Sequence, residues 1–236
     1  TPPHAILSGL VGSEMCIRDR YLSNIAIVKT PGGIVYPSHP LAATSDELEQ
    51  LTGFSRDIEA SRAKARALLK EAGAEGLEFS FNNRGVDQPY KVVGTWLVDQ
   101  WRQVGLKPKQ RVQPSPQFYA TLRKKYDFDV SIDFNCQSVV NPIADVSKFL
   151  CSAGNHYSGC ENAKLDAIYD RLLRAETADQ QRAIMRELEK EAIDTAGTNL
   201  TLWWYKINPH RSYVKGWKIA PSHYLNQHLD NVWLDR

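Results

Sequence analysis

Between residues 57 and 134 the sequence alternates segments of helical and strand pattern, and this order constrains the fold more than any other feature. Asp57 is a good N-cap before the run IEASRAKARALLKEA, and Gly73 lies where helices commonly end in a left-handed residue. GLEFSF at residues 76–81 alternates apolar and polar side chains, as a half-buried strand does. After a polar loop, a second helix is predicted from about Gln88 to Val104.

The same order then repeats. LKPKQRVQ predicts a strand, residues 116–124 predict a short helix, and DFDVSIDF predicts a buried strand. Further along, AKLDAIYDRLLRAE is amphipathic, and Thr177 with Gln180 forms a capping box for the next helix. After Gly197 the sequence becomes aromatic and prone to β-structure. Helices alternating with strands predict an α/β fold.

Composition excludes several classes of function. With 42% hydrophobic and 24% charged residues, the 236-residue chain suits a soluble globular protein of one large or two smaller domains. Its net charge of +2 is spread along the whole length, so no concentrated field predicts binding to nucleic acid or to an anionic membrane. The apolar run AILSGLVG is far shorter than the roughly 20 residues of a membrane helix, and it lacks the basic start of a signal peptide.

An ordered series of segments resembles one known family. The series is DIEASRAKARALLKEAG, WLVDQWRQVGLK, YDFDVSIDF, Asn141-Pro142, NHYSGCENAKLDAIYDRLLRAETADQQRAIMRELEKEAI and VWLD. Over residues 21–236 it is similar to the C-terminal half of the family 5 extracytoplasmic solute-binding proteins, the peptide, nickel and oligosaccharide receptors of ABC importers. The resemblance implies a periplasmic-binding-protein type II clamshell. This chain would hold its second α/β lobe plus the terminal strands of the first, whose main body would be absent.

The resemblance also implies a division of the chain and a function. Residues 21–197 would form the second lobe, and residues 198–236 a crossover strand and a return segment to the first lobe. The receptor would bind a peptide-like or other polar organic solute between its lobes and deliver it to a membrane permease. It would act outside the cytoplasm as a monomer, without catalysis, cofactor or nucleic acid.

Residues 1–20 are expected to have no role. Residues 10–20 read LVGSEMCIRDR, which matches one reading frame of a common transposon adapter used to prepare sequencing libraries. A metal or redox loop built on Met15 and Cys16 has little support, because one Cys with one Met matches no ligand spacing.

Cys151 and Cys160 bracket the loop SAGNHYSG. Some dipeptide-binding members of the resembling family carry a bridged pair in a similar loop, so the resemblance implies a disulfide here. The spacing alone leaves two unlinked thiols open, while zinc has less support because only His156 lies between the two cysteines.

Trp203, Trp204 and Tyr205 are candidate ligand contacts, because in the resembling family a tyrosine-rich strand crosses between the lobes beside the solute at this place. Consecutive strand residues face opposite ways, so only one of the two tryptophans can face the cleft. Packing of both within the lobe is an equal alternative. The other tryptophans, among them Trp96, Trp217 and Trp233, are predicted to be core residues.

The segment before Asn141-Pro142 supplies the remaining candidate contacts. Peptide-binding members of the family pair the ligand's α-amino group with an aspartate in the pattern D-x-x-D-P or D-x-x-E-P, and Ser138 stands at that aspartate position. A serine cannot neutralise a buried ammonium group. The solute is therefore expected to lack a buried free N-terminus and to bind Asn135, Gln137 and Ser138, unless Asp133, Asp145 or a carboxylate of the other lobe takes over the pairing.

Two other classes of function remain as alternatives. The six tryptophans and ten tyrosines could build a protein-interaction surface on a structural α/β domain. A Cys-His hydrolase would need a thiol beside a base such as His156, but no nucleophile signature surrounds any cysteine. Glu187, Glu189 and Glu191 are predicted to form the solvated face of a helix, which argues against paired catalytic carboxylates.

Overall fold

The computed structural model describes residues 28–30, 32–125, 127–134, 141–154, 156–204, 208–218 and 228–235. Residues 1–20, and with them the adapter-like segment, lie outside the described residues. In the parts of the chain that are described, no helix combines the length and the apolar character that crossing a membrane requires.

The described helices and strands follow the predicted alternation. The strands are β1 (Val28–Thr30), β2 (Glu78–Arg84), β3 (Lys107–Gln113), β4 (Val130–Ile132), β5 (Trp203–Trp204), β6 (Val214–Lys215) and β7 (Trp233–Leu234). The helices are α1 (Ser45–Glu49), α2 (Ile58–Glu71), α3 (Val92–Gln103), α4 (Ser115–Ala120), α5 (Pro142–Asp145), α6 (Ala163–Leu173) and α7 (Ala178–Thr195). A wide turn at Asp87–Lys91 precedes α3, and another at Thr121–Lys125 follows α4. A 3-10 turn at Val146–Phe149 follows α5.

Local capping fixes the long helices where the sequence predicts them. The Asp57 carboxylate accepts the N–H of Ala60 at the start of α2, and Gly73 lies just beyond its end with φ +62°. Thr177 and Gln180 form the predicted capping box of α7. The helix predicted from Gln88 begins instead at Val92, because Gln88 precedes a proline and has an extended backbone.

A three-stranded parallel sheet, in the order β3-β2-β4, forms the first structural unit. Helices α2 and α3 cover it, and Trp101 of α3 packs edge-to-face on Phe79 and Phe81 at ring separations of 5.2 and 5.0 Å. Trp96, which the sequence predicts as a core residue, is buried, and so are Leu97 and Val104. The buried strand predicted from DFDVSIDF is shorter and only partly buried, because β4 lies at the sheet edge and borders an open groove.

A second core is helical. Helices α6 and α7 pack together, and their buried residues Ile168, Met185 and Leu188 belong to one hydrophobic cluster with Ile34 and Val35 of the segment at residues 32–42. This segment follows β1, which pairs antiparallel with β5 through Val28–Trp204 and Thr30–Trp203. The part of the chain between β1 and β5 therefore begins and ends at two adjacent, paired strands.

Two further burial predictions are wrong. Glu189 of α7 is 1% exposed, because the chain at residues 33–34 folds over it, whereas Glu187 and Glu191 are 42% and 20% exposed. Trp233 is 56% exposed rather than part of a core, because its strand β7 pairs only with β6 among the described strands.

Candidate functional site

A groove of about 1580 Å³ lies beside β4, an outer strand of the described three-stranded sheet. One wall comes from β2, β4 and the α4 region, with Tyr119, Arg123 and Asp133 among its side chains. The other wall comes from the loop at residues 156–162 and from the end of α7 with residues 196–199. Such a groove is large enough for a small organic molecule.

Charged and aromatic side chains converge at the carboxyl ends of the parallel strands that border the groove. Arg84 is the last residue of β2, and Asp133 directly follows β4. Tyr119 belongs to α4, and Arg123 to the wide turn after it. In open α/β sheets, ligands bind at the carboxyl ends of the strands, so this cluster occupies the place where a binding site is expected.

Arg84 is held at the centre of the cluster by hydrogen bonds and ring contacts. Its Nε donates to the Ser115 hydroxyl at 2.8 Å, and its Nη1 lies 3.4 Å from the hydroxyl oxygens of both Tyr90 and Tyr119. The guanidinium carbon lies 5.0 Å from the Tyr90 ring centre and 5.3 Å from that of Tyr119. Arg123 lies over the Tyr119 ring at 4.8 Å.

Asp133 brings one negative charge to this cluster. The Tyr119 hydroxyl donates to its Oδ1 at 3.4 Å, and the N–H of Phe134 donates to the same oxygen at 2.9 Å. The surrounding protein removes water from the carboxylate and raises its pKa, although Phe134, Arg84 and Arg123 act in the opposite direction. Burial also raises the pKa of Tyr90 and of Tyr119, so both hydroxyl groups stay protonated at neutral pH.

The loop on the opposite wall is fastened by a disulfide and a histidine. Cys151 and Cys160 are bonded, with their Cα atoms 5.3 Å apart, so the disulfide that the resemblance implied is confirmed. Within the loop, the ring of His156 has Nδ1 2.9 Å from the Ser158 hydroxyl and Nε2 3.0 Å from the Thr198 hydroxyl. Burial lowers the pKa of His156.

The structure locates only part of the predicted ligand-binding set. Asn135, Gln137, Ser138 and Tyr205 lie outside the described residues, as does the side chain of Trp204. Trp203 donates its indole N–H to the Gly33 carbonyl at 2.9 Å and contacts the Tyr36 ring, so its indole packs on the segment at residues 32–42.

The two alternative carboxylates differ in their surroundings. Asp133 lines the groove next to the undescribed residues 135–140. Asp145 accepts a hydrogen bond from Lys148 at 2.8 Å, and both side chains are less than 10% exposed, so Asp145 already has a cationic partner. Of the two, Asp133 is the carboxylate that faces the groove.

Sequence reasoning did not select Arg84, Tyr90, Tyr119 or Arg123. The one sequence feature that could have indicated them is their position along the predicted elements. Arg84 ends a strand, and Tyr119 lies in the helix after the next strand. The described residues hold no cluster of three or more His, Cys, Asp or Glu side chains that could bind a metal ion.

This architecture is shared with solved structures of other proteins. No family model matches the chain, and no curated protein matches its sequence. Among solved structures, the chain is similar to the Helicobacter pylori ABC transporter-associated periplasmic binding protein DppA in complex with the peptide STSA. The TM-score is 0.75 at 15% identity, covering 98% of this chain and 44% of that one.

Two further structures give the same result. Haemophilus influenzae OppA in complex with the peptide RPPGFSPFR has a TM-score of 0.74 at 16% identity, covering 98% of this chain and 45% of its own. The binding protein AgaA from A. tumefaciens R10, in complex with agropinic acid, has a TM-score of 0.63 at 14% identity, covering 86% of this chain and 40% of its own. The chain thus spans less than half the length of each of these structures. The expected α/β fold is confirmed, and the chain shares the architecture of part of the type II periplasmic binding proteins.

Proposed function

We propose that this chain forms one wall of the solute-binding cleft in the receptor component of an ABC importer. The observation that carries the proposal is the convergence of Arg84, Tyr119 and Asp133 at the carboxyl edge of the parallel sheet, beside a groove. The solved structures with this fold are described as binding proteins, several of them in complex with peptides. A second lobe would cover the groove and enclose the solute.

Lobe closure requires a connection that can bend. The paired strands β1 and β5 fit this role, because they are short and adjacent, so a small backbone change in both would rotate the lobe as a body. The closed receptor would then dock on the permease and release the solute to it.

We infer that the solute is a polar organic molecule, peptide-like but without a buried free α-amino group, because Ser138 stands where peptide-binding members of the resembling family carry an aspartate. Asn135, Gln137 and Ser138 would bind its polar groups, and one of the aromatic residues at 203–205 would contact its apolar part. The Cys151–Cys160 disulfide supports a location outside the cytoplasm, where such bonds persist. The receptor is proposed to act as a monomer and without a cofactor.

One observation favours a protein-interaction role as the second candidate. Tyr213, Trp233 and Leu234, in or beside the β6–β7 sheet, are 41%, 56% and 51% exposed. Apolar side chains grouped in this way are typical of a surface that another protein segment covers. The other lobe of the receptor would cover them equally well. A Cys-His hydrolase has less support, since Cys160 is bonded to Cys151 and its sulfur is not available as a nucleophile.

A thermal-shift screen of the full-length receptor tests the proposal. The panel holds ordinary di- to pentapeptides, their N-acetylated forms and sugar derivatives. We expect at least one polar organic solute to stabilise the receptor, and N-acetylation not to abolish the effect of peptides. Strong stabilisation by free peptides alone would show that the inference from Ser138 is wrong. An interaction domain would respond to no small molecule in the panel.

A further inference from the structure

We infer that Glu189 of α7 and Trp203 of β5 are positioning residues for lobe closure, because they hold the two sides of one peptide group beside the paired strands β1 and β5. This inference rests on the proposed receptor function and names the residues that orient its lobes. The peptide group joins Gly33 to Ile34, shortly after β1. Its N–H donates to the Glu189 carboxylate at 2.8 Å, and its carbonyl accepts the Trp203 indole N–H at 2.9 Å. We call these two side chains and the peptide group between them the clamp.

Two glycines allow both contacts of the clamp to form. A Cβ atom on Gly32 would lie 2.6 Å from Cδ1 of Trp203, and a Cβ atom on Gly33 would lie 1.6 Å from Oε1 of Glu189. Both distances are far shorter than a normal contact between such atoms. A side chain at either position would therefore push the peptide group away from one of its partners.

The segment at residues 32–42 is fixed to α7 at further points. Arg182 donates to the Pro40 carbonyl at 2.8 Å, and Arg186 donates to the Leu41 carbonyl. Both arginines lie on the same face of α7 as the carboxylate of the clamp, because side chains three and four residues apart share one side of a helix. We therefore expect this segment and α7 to move as one body.

The end of α7 borders the groove, so the clamp and the candidate solute site share one helix. Glu191 and Thr195 line the groove, and the chain continues through residues 196–199 of the same wall to β5. Neither Glu189 nor Trp203 is among the described residues that line the groove. Their effect on solute binding is therefore expected to come from the orientation of the strands and not from contact with the solute.

The clamp limits the ways in which the receptor can bend. Since β1 and β5 are paired with each other and tied to α7 through the same peptide group, neither strand can pivot alone against this lobe. Without the clamp, the unliganded receptor would populate more lobe orientations, and only a fraction of them would be able to close on the solute. The apparent affinity falls by that fraction.

Three variants of the full-length receptor test this inference, with the most strongly stabilising compound of the thermal-shift screen as the probe. Trp203→Phe removes the indole donor and keeps an aromatic ring, and Glu189→Ala removes the acceptor. Each should weaken binding about three- to tenfold in calorimetry. Glu189→Gln can still accept the Ile34 N–H and should recover part of the affinity. Small-angle X-ray scattering of the unliganded Trp203→Phe and Glu189→Ala receptors should show a wider range of lobe separations than in the wild type.

Leu172→Ala is the matched control for a general loss of stability. Leu172 is 1% exposed and belongs to the same hydrophobic cluster as Ile34, but it lies on α6 and takes no part in the clamp. Its truncation should lower the melting temperature, because it leaves a cavity in this core. Solute affinity and scattering should stay as in the wild type, all measured at a temperature at which circular dichroism shows the variants folded.

The outcomes separate the two proposals. Unchanged scattering in Trp203→Phe, or changes that Leu172→Ala reproduces, would overturn the clamp and leave the receptor function standing. If Glu189→Ala does not fold, Trp203→Phe decides alone. A receptor that binds no compound of the screen would overturn the receptor function itself, and the scattering of the unliganded variants would still decide whether the clamp orients the lobes.

Discussion

The Glu189 carboxylate accepts the backbone N–H of Ile34 at 2.8 Å, and so joins two parts of the chain that lie 155 residues apart in sequence. Arg186, one turn earlier on α7, donates to the other carboxylate oxygen at 2.6 Å and to the Leu41 carbonyl at 2.5 Å. Gly33 makes this approach possible, because a Cβ atom there would lie 1.6 Å from Glu189 Oε1. The segment that follows β1 is thereby fixed to the helical core.

Removing this carboxylate should destabilise the fold strongly. Glu189→Ala leaves the partly buried Arg186 guanidinium and the Ile34 N–H without their partner, which costs about 3 to 5 kcal/mol for a buried pair. Urea denaturation of the chain measures the loss. Glu187→Ala on the same helix removes an exposed partner of Arg171, and should cost less than about 1 kcal/mol. Equal losses in the two variants would contradict the role given to Glu189.

The disulfide should stabilise the loop that borders the groove. On the chain-entropy model, a bridge between Cys151 and Cys160 contributes about 2 to 3 kcal/mol. The double variant Cys151→Ser, Cys160→Ser should unfold at lower urea concentration, and a reducing agent should lower the wild-type protein to a similar midpoint without affecting the variant. Mass spectrometry without reduction checks the bond itself. Finding both thiols free in folded, oxidised protein would refute it.

His156 should make stability depend on pH. Burial lowers its pKa in the folded chain, so the folded state favours the neutral ring. Its contribution to stability is complete above the ordinary value of about 6.5, and is lost as the pH falls through the lowered pKa. Unfolding free energies at about pH 7.5 and 5.5 should therefore differ more in the wild type than in His156→Gln.

The control for this effect is the exposed His210, whose ring lies 5.4 Å from that of Trp217 in a different part of the chain. His210→Gln should keep the pH dependence of the wild type. If His156→Gln keeps it as well, another group causes the acid sensitivity.

Asp133 is predicted to lower the stability of the fold, although it belongs to the candidate site. Its pKa is raised in the folded chain, mainly by burial. At neutral pH the ionised carboxylate is therefore less favourable in the folded chain than in the unfolded chain. Asp133→Asn keeps an oxygen that can accept from Tyr119, and should raise the melting temperature. Asp129→Asn should lower it, because the Asp129 carboxylate accepts from the Ser80 N–H at 2.7 Å and from its hydroxyl at 2.8 Å. Calorimetric melting curves of both variants decide this, and a lower melting temperature for Asp133→Asn would contradict the assignment.

The sequence predicts those features that depend on neighbouring residues. The Asp57 cap, Gly73 and the Thr177–Gln180 capping box act within one helical turn, and the structure has all three in place. The burial of Glu189 could not be predicted in this way, since it depends on residues 33–34 folding across α7. Amphipathic periodicity assigns a face to a residue, but not the loop that later covers that face.

The candidate site also combines residues that the sequence indicates with residues that only the fold brings together. The resemblance directs attention to the segment before Asn141-Pro142, and its predicted contacts at residues 135, 137 and 138 remain predictions. Arg84, Tyr119 and Asp133 come from three separate elements, and they meet only because β2 pairs with β4 in parallel and α4 lies at the end of that pair. The local sequence pattern does not determine the order of strands in a sheet, so it could not predict this cluster.

A structure of the full-length receptor with a solute identified in the screen tests the central claim most directly. The account predicts that the solute lies in the groove beside β4, in contact with Tyr119, Arg123 or Asp133 of its wall. Bound solute that touches none of these three residues would contradict the claim that this edge of the sheet is the binding wall.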